Sequence, residues 1–140
     1  MTSPLSIRFD KALLERLRRR AVIQDSTPSG LAQRLVDEGL RAQEHPGIVF
    51  KDGPSGRRAA LVAGPDVWEV VAAVGGSGVK DERRAVTVVS QELSLSAGQV
   101  RLALDYYGAY SEEIDAQIAE NQLAVTEALA AFRARQRLLA

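Results

Sequence analysis

Apolar and polar residues alternate at the start of the chain. In residues 4–10, PLSIRFD, Leu5, Ile7 and Phe9 fall on one face and Ser6, Arg8 and Asp10 on the other. A period of two predicts a half-buried strand. The period then changes. Leu13, Leu14, Leu17 and Ala21 recur at helical spacing, which predicts a helix from about Lys11 to Gln24. Asp10 precedes it, where a carboxylate can accept from the free N–H groups of the first turn. Asp25–Ser26 breaks the pattern. Thr27 and Pro28 then form a cap followed by proline at the first helical position. A second helix is expected to about Gln43, with Leu31, Leu35, Val36 and Leu40 inward.

His45-Pro46-Gly47 closes that unit. Two short strands follow, 48–52 and 58–63, joined by a turn over Asp52–Gly56. Asp66 is placed to cap a short helix with Val67, Val70, Val71 and Val74 inward, and GGSG at 75–78 is a loop. Helices are expected from about Asp81 to Leu93 and, capped by Ser96, from Ala97 to Gly108 with Val100, Ala103 and Leu104 inward. Ser111 opens a last helix whose first turn carries Glu112, Glu113 and Asp115, where carboxylates suit the positive helix end. The pattern thus predicts three segments: 1–44, a strand and two helices; 45–110, a hairpin and three helices; and 111–140, one long helix. The fold class is mainly α with short β.

Composition narrows the class. The chain has 140 residues, nearly half of them apolar, and no cysteine. Disulfides and thiolate zinc sites are excluded, and the chain suits a reducing compartment. No apolar run approaches the ~20 residues of a membrane span, and MTSPLSIRFD lacks the features of a signal peptide, so a cytoplasmic location is expected. Net charge is zero, but its distribution is uneven. Residues 1–24 carry six basic residues (Arg8, Lys11, Arg16, Arg18, Arg19, Arg20) against two acidic ones, and the last thirteen carry three arginines and no acid. Local basic patches, not total charge, mark nucleic-acid binding.

A short amphipathic strand is marginal alone, and one strand–helix–helix buries little. Two chains pairing their strands antiparallel would close Leu5, Ile7 and Phe9 over four helices. The opposite face would present Ser6 and Arg8 on a ribbon that fits a major groove. In LSIRFD, ALLERLRRRA, the polar turn and TPSGLAQRLVDEGLR, residues 5–43 resemble the ribbon-helix-helix repressors of the Arc and CopG class. The resemblance implies that Ser6 and Arg8 read base edges. Pro4 stands where that family often has another polar reader. It also implies that the backbone N–H groups of Thr27, Ser29 and Gly30, with the two hydroxyls, hold a phosphate at a helix N-terminus. Arg16 to Arg20, Arg18 and Arg19 among them, would add non-specific attraction; a solvated helix face explains that run equally well. A half-exposed strand in a monomeric α+β domain is the competing reading of residues 4–10.

HPGIVFKDGPSGRRAALVAGPDVWEVV resembles a small domain that recurs in antitoxins of bacterial toxin–antitoxin pairs, and the likeness extends over about 45–122. AVTVVSQELSLSAGQVRLALDYY fits its helix-turn-helix pattern. The family's glycine-threonine-arginine turn is replaced here by Ser55-Gly56-Arg57-Arg58. Gln99 and Arg101 would be exposed and able to touch DNA, although the mixed charge from Glu92 and Asp105 favours a packing or dimerisation role. Trp68 is expected in a core or subunit interface. Tyr106, Tyr107 and Tyr110 are expected mainly in packing.

The final helix carries Leu123, Leu129, Phe132, Leu138 and Leu139 with Arg133, Arg135 and Arg137. Such a helix can lie in a partner's groove. The arrangement resembles VapB-type antitoxins, in which a terminal arginine enters the acidic metal site of a PIN-type ribonuclease toxin. The resemblance implies that Leu129, Phe132, Arg133, Arg135 and Arg137 bind the toxin, since an arginine fork pairs with carboxylates that otherwise hold Mg²⁺. A terminal helix packing within its own dimer is the competing reading.

No catalytic set assembles. His45 is the one histidine and belongs to no metal motif. GGSGVKD lacks the spacing and ending of a phosphate-binding loop. Asp105, Glu112, Glu113 and Asp115 are acidic neighbours, but capping explains three of them without a metal. No enzyme activity, cofactor or metal is expected. The expected function is that of an antitoxin and autorepressor, which binds its own operator, double-stranded DNA, as a homodimer or higher even oligomer and holds a PIN-like ribonuclease through its last helix. The alternative is a stand-alone regulator whose C-terminal region serves only oligomerisation.

Overall fold

A computed structural model describes residues 2–54 and 56–140. The chain is mainly helical with a single two-stranded hairpin among the described residues. It divides into two compact units, residues 1–44 and 45–140.

In the first unit, α1 spans Lys11–Ile23 and α2 spans Pro28–Glu44. Asp10 caps α1, its carboxylate accepting from Leu13 N–H at 2.8 Å. Thr27 caps α2, its hydroxyl accepting from Gly30 N–H at 3.0 Å. Between the helices Asp25 adopts a φ of +52°, and Ser26 N–H donates to the carbonyl of Ala21. Residues 2–10 form no strand in the single chain. A strand needs a partner for its backbone groups, and the described residues of this unit supply none. Few apolar side chains are covered: Ala21 and Leu31 are buried, and Leu14 and Leu17 are half-buried. The inward positions expected in α2 are instead exposed at Leu35, Val36 and Leu40, and Leu13 of α1 is exposed with them. Two helices alone are too thin to enclose both stripes.

The second unit has a continuous core. β1 (Ile48–Gly53) pairs antiparallel with β2 (Gly56–Leu61), from Ile48 opposite Leu61 to Gly53 opposite Gly56. Ser55, part of the turn singled out above, lies outside the described residues. β2 ends two residues before the expected Ala63, which turns the chain at a φ of +51°. α3 (Val67–Gly76), α4 (Glu82–Glu92), α5 (Ala97–Ala109) and α6 (Ser111–Leu139) follow. Ile48, Ala59, Leu61, Val67, Val70, Val86, Val89, Val100, Ala103, Tyr106 and Ile114 form the buried cluster. Thus α6 joins this core through its first turns, with Ile118 packed at the edge. Gly47 illustrates how tightly the hairpin seats: its φ is +103°, and a Cβ there would meet Leu102 Cδ2 at 2.6 Å. Any larger residue would be strained by conformation and by space.

Three local expectations change. Gly75 and Gly76 belong to α3 and not to a loop, because the packed valine face of this helix offsets the cost of glycine. Asp66 precedes α3 but makes no capping hydrogen bond; its carboxylate turns toward the hairpin. Ser111 is the first residue of α6, and Tyr110, which precedes it, supplies no side-chain cap.

Candidate nucleic-acid interface and partner helix

The residues predicted to read DNA lie in and beside the first unit. Ser6 and Arg8 sit on the exposed segment before α1, which forms no regular element, alongside Leu5, Ile7 and Phe9. Leu5 is 81% exposed and Phe9 39%. Thr27, Ser29 and Gly30 gather at the start of α2. There Gly30 N–H is already taken by the Thr27 hydroxyl. An approaching phosphate would therefore meet the remaining N–H groups of the turn or displace that cap. Among the described residues, no ion pair engages Arg8, Lys11, Arg16, Arg18, Arg19 or Arg20, so these cations face solvent unneutralised.

The arginine run is not uniform. Arg16, Arg19 and Arg20 border an open concavity of about 510 Å³ with Leu13, Leu17, Ile23, Leu31 and Leu35 on its floor and walls. Arg18 stands outside it. The stems of long cationic side chains can cover apolar surface while their heads stay wet. Arg19 is thus beside the apolar groove, and Arg18 is the better placed of the two for free contact with a polyanion.

In the second unit, Gln99 has a structural task that the sequence reading did not assign. Its side-chain oxygen accepts from Ser96 N–H at 2.9 Å while the Ser96 hydroxyl accepts from Gln99 N–H at 3.1 Å. This reciprocal pair is a capping box, and the Ser96…Gln99 spacing was its signal. Arg101 remains exposed on α5. Trp68 is half-buried, and its indole N–H donates to Asp66 Oδ2 at 3.2 Å.

The acidic neighbours are dispersed among tyrosines. Tyr106, fully buried, donates to Glu113 at 3.2 Å, and Tyr107 donates to Asp115 at 2.9 Å. The bond to Asp115 raises the Tyr107 pKa above the usual tyrosine value, helped by burial and by the carboxylate's charge. His45 stacks edge-on against Tyr106 and Tyr110, with ring centres 5.3 and 6.0 Å apart. Among the described residues no group of three His, Cys, Asp or Glu side chains could hold a metal ion.

The predicted toxin-binding residues all lie on the distal part of α6. From residue 119 to 140 every position is exposed, including Leu129 and Phe132, the latter at 49%. Arg133, Arg135 and Arg137 project from the same stretch without an acidic partner in the described residues. No helix is long and apolar enough to cross a membrane among the described residues.

No protein-family model, curated protein or solved structure matches the chain.

Proposed function

We propose that this protein is an antitoxin of a toxin–antitoxin pair. Its first unit dimerises as a ribbon-helix-helix and binds operator DNA, and its last helix neutralises a PIN-like ribonuclease. The observation that carries the reading is the unfinished first unit. Leu5, Ile7, Phe9, Leu13, Leu35, Val36 and Leu40 are all exposed in the single chain. Apolar surface on that scale marks a protein contact. Mutual pairing of two 4–10 segments would satisfy their backbone groups and cover the groove between α1 and α2. It would also leave Ser6 and Arg8 on the outer face of the ribbon, above unneutralised arginines. No enzymatic step is part of the reading.

The exposed distal α6 supports the second half of the proposal, because apolar anchors with three arginines that have no ion pair among the described residues suit an acidic, groove-bearing partner. Co-expression with the product of the adjacent gene tests both halves together. A nuclease-like neighbour that co-purifies with the chain and loses its toxicity is the expected result. A neighbour of other chemistry, or one that never associates, overturns the antitoxin assignment and leaves at most a regulator.

A further inference from the structure

Gln117 Oε1 and Arg58 Nε are buried side-chain atoms with no hydrogen bond among the described residues. Arg58 Nε at least has the Asp66 carboxylate beside it; Gln117 Oε1 has no such neighbour. Burying a polar atom without a partner is costly, so such an atom calls for one. Both residues line one cleft of about 350 Å³ in the second unit. Arg58 comes from β2 and Trp68 from α3, while Gln117, Glu120 and Asn121 come from α6. Steps of three and four residues place those three polar side chains on one face of the helix. A cleft of this size, with an aromatic wall and a few convergent polar groups, has the character of a small-ligand site.

The two walls of the cleft differ in charge. On the hairpin side Lys51 and Arg58 share the single carboxylate of Asp66, which leaves one positive charge of the three in surplus. The Arg58 guanidinium lies over Gly53, where a Cβ would fall 1.7 Å from Nη1. Its only polar contact among the described residues is Asp66. On the helix side Glu120 has no ion pair among the described residues, and Gln117 Oε1 offers only lone pairs. A simple anion would suit Arg58 but be repelled by Glu120. A simple cation would suit Glu120 and Gln117 Oε1 but be repelled by Arg58. A ligand that carries a carboxylate and an ammonium side by side satisfies both walls. The Trp68 indole N–H is committed to Asp66, so its ring serves the cleft as an apolar surface.

We infer that this cleft binds a free α-amino acid with an apolar side chain. The carboxylate meets the Arg58 guanidinium, the ammonium donates to Gln117 Oε1 and the Glu120 carboxylate, and the side chain lies against Trp68. Hydrogen bonds in which a partner is ionised are the stronger class. A peptide bond at either end would remove one of the two charges, so a free amino acid fits better than a segment of chain. The bound molecule bridges the hairpin and α6 at Gln117 and Glu120, beside Ile118 at the edge of the core. The site belongs wholly to the second unit and does not rest on the antitoxin reading.

Trp68 is the one tryptophan of the chain, so tryptophan fluorescence of the full-length protein reports on the cleft. L-leucine and L-phenylalanine are titrated against it, each beside its deaminated and its decarboxylated analogue. At least one amino acid should give a saturable change, and its two analogues should bind about tenfold or more weakly, each having lost one charge-assisted contact. Glu120→Gln, at an exposed position, should lower the amino acid's affinity toward that of the deaminated analogue without weakening the latter. Gln117→Leu should abolish binding while the thermal midpoint of the empty protein stays level or rises, because an orphaned acceptor is removed. No saturable response to either amino acid up to about 10 mM, a concentration that would largely fill a millimolar site, overturns the inference. So does an analogue, or N-acetylleucine amide, that binds as tightly as the amino acid, and so does binding that survives both substitutions. Neither operator DNA nor a toxin enters any of these readouts, so this inference and the antitoxin assignment fail separately.

Discussion

Arg58 Nε on β2 stands 2.6 Å from Asp66 Oδ2 at the entrance to α3. The two groups are close but not aligned for a hydrogen bond, so the contact is an ion pair. The Asp66 side chain is 6% exposed and that of Arg58 21%. Lys51 adds a second cation at 3.7 Å, and Trp68 donates its indole N–H to the same carboxylate. One buried acid therefore ties the hairpin to the first helix of the core. Asp66→Ala strands these donors and a cation, and breaking a buried pair on one side is costly. With Arg58 partly solvated, a loss of about 2–4 kcal/mol is expected. Denaturant unfolding of the full chain measures it; a change below about 0.5 kcal/mol, typical of a surface substitution, contradicts this account.

Tyr107 and Asp115 form a similar link between α5 and α6, with a different pH signature. The folded pKa of Tyr107 is raised, first by its hydrogen bond to Asp115, then by burial and the carboxylate's charge. A raised folded value means that the bond's contribution is fully present below the ordinary tyrosine pKa of 10.0. It is lost as pH climbs through the higher folded value. In Asp115→Asn, the Tyr107 titration moves back toward the ordinary value. Phenolate absorbance during alkaline titration follows this directly, and identical curves for the two proteins refute the assignment.

The helices were legible because their starts carry local chemistry. Asp10, Thr27, Asp81 and Ser96 all accept a hydrogen bond from the backbone of the third residue beyond them. Such signals need only a few neighbouring residues. What escaped the sequence depends on distant ones. The turn of Asp66 away from its own helix is decided by Arg58 and Trp68, and the helical state of Gly75 and Gly76 by the valine face that packs α3. Tyr106 and Tyr107 were read as packing residues, but their acid partners come from the next helix. In the first unit the periodic apolar stripes were visible, yet one chain does not cover them. The strand expected at 4–10 is not formed, since alternation by itself supplies no hydrogen-bond partner for the backbone. Of the candidate site, the placement of Thr27, Ser29 and Gly30 at the start of α2 and of Arg133, Arg135 and Arg137 on the last helix was readable from the pattern, whereas the strand expected to carry Ser6 and Arg8 is not formed. The engagement of Gly30 N–H by Thr27 and of the Gln99 side chain by Ser96 N–H follows from the same three-residue spacings.

Phe9→Asp tests the unfinished first unit. Phe9 is half-shielded on an otherwise exposed segment, and a dimer would bury it together with Leu5 and Ile7. Burial of such a side chain contributes about 1.5–3 kcal/mol per copy. Placing a carboxylate there weakens association roughly a hundredfold or more. Sedimentation across a concentration series is expected to show a shift in the dimerisation midpoint. The second unit should keep its fold, because none of its core residues is touched. An unchanged association constant removes the 4–10 segment from the dimer contact.

Arg8→Ala separates DNA reading from assembly. Arg8 is exposed and, among the described residues, without an ion pair, so its removal uncovers no core and strands no acid among them. A base contact of this kind contributes about 1–3 kcal/mol of discrimination. Operator affinity should therefore fall by about tenfold to a hundredfold, while the dimer and the non-specific affinity persist. Wild-type binding should also weaken steeply with salt as phosphate contacts release counterions. A variant that discriminates operator from random duplex as well as the wild type does, or a flat salt response, contradicts the ribbon placement.

Truncation after Asn121 addresses the partner helix. Ile114 and Ile118, through which α6 joins the core, are retained, and every residue removed is exposed. The second unit therefore loses none of its core residues, and thermal unfolding should change little. Operator binding by the first unit should also persist. What disappears is the stretch bearing Leu129, Phe132, Arg133, Arg135 and Arg137, and with it rescue of growth in cells that express the toxin. Charge and shape contribute separately: Arg133→Ala, Arg135→Ala and Arg137→Ala together keep the apolar anchors and should weaken neutralisation, while Leu129→Ala with Phe132→Ala keeps the charge and should do likewise. Full rescue by the truncated chain would place toxin contact elsewhere.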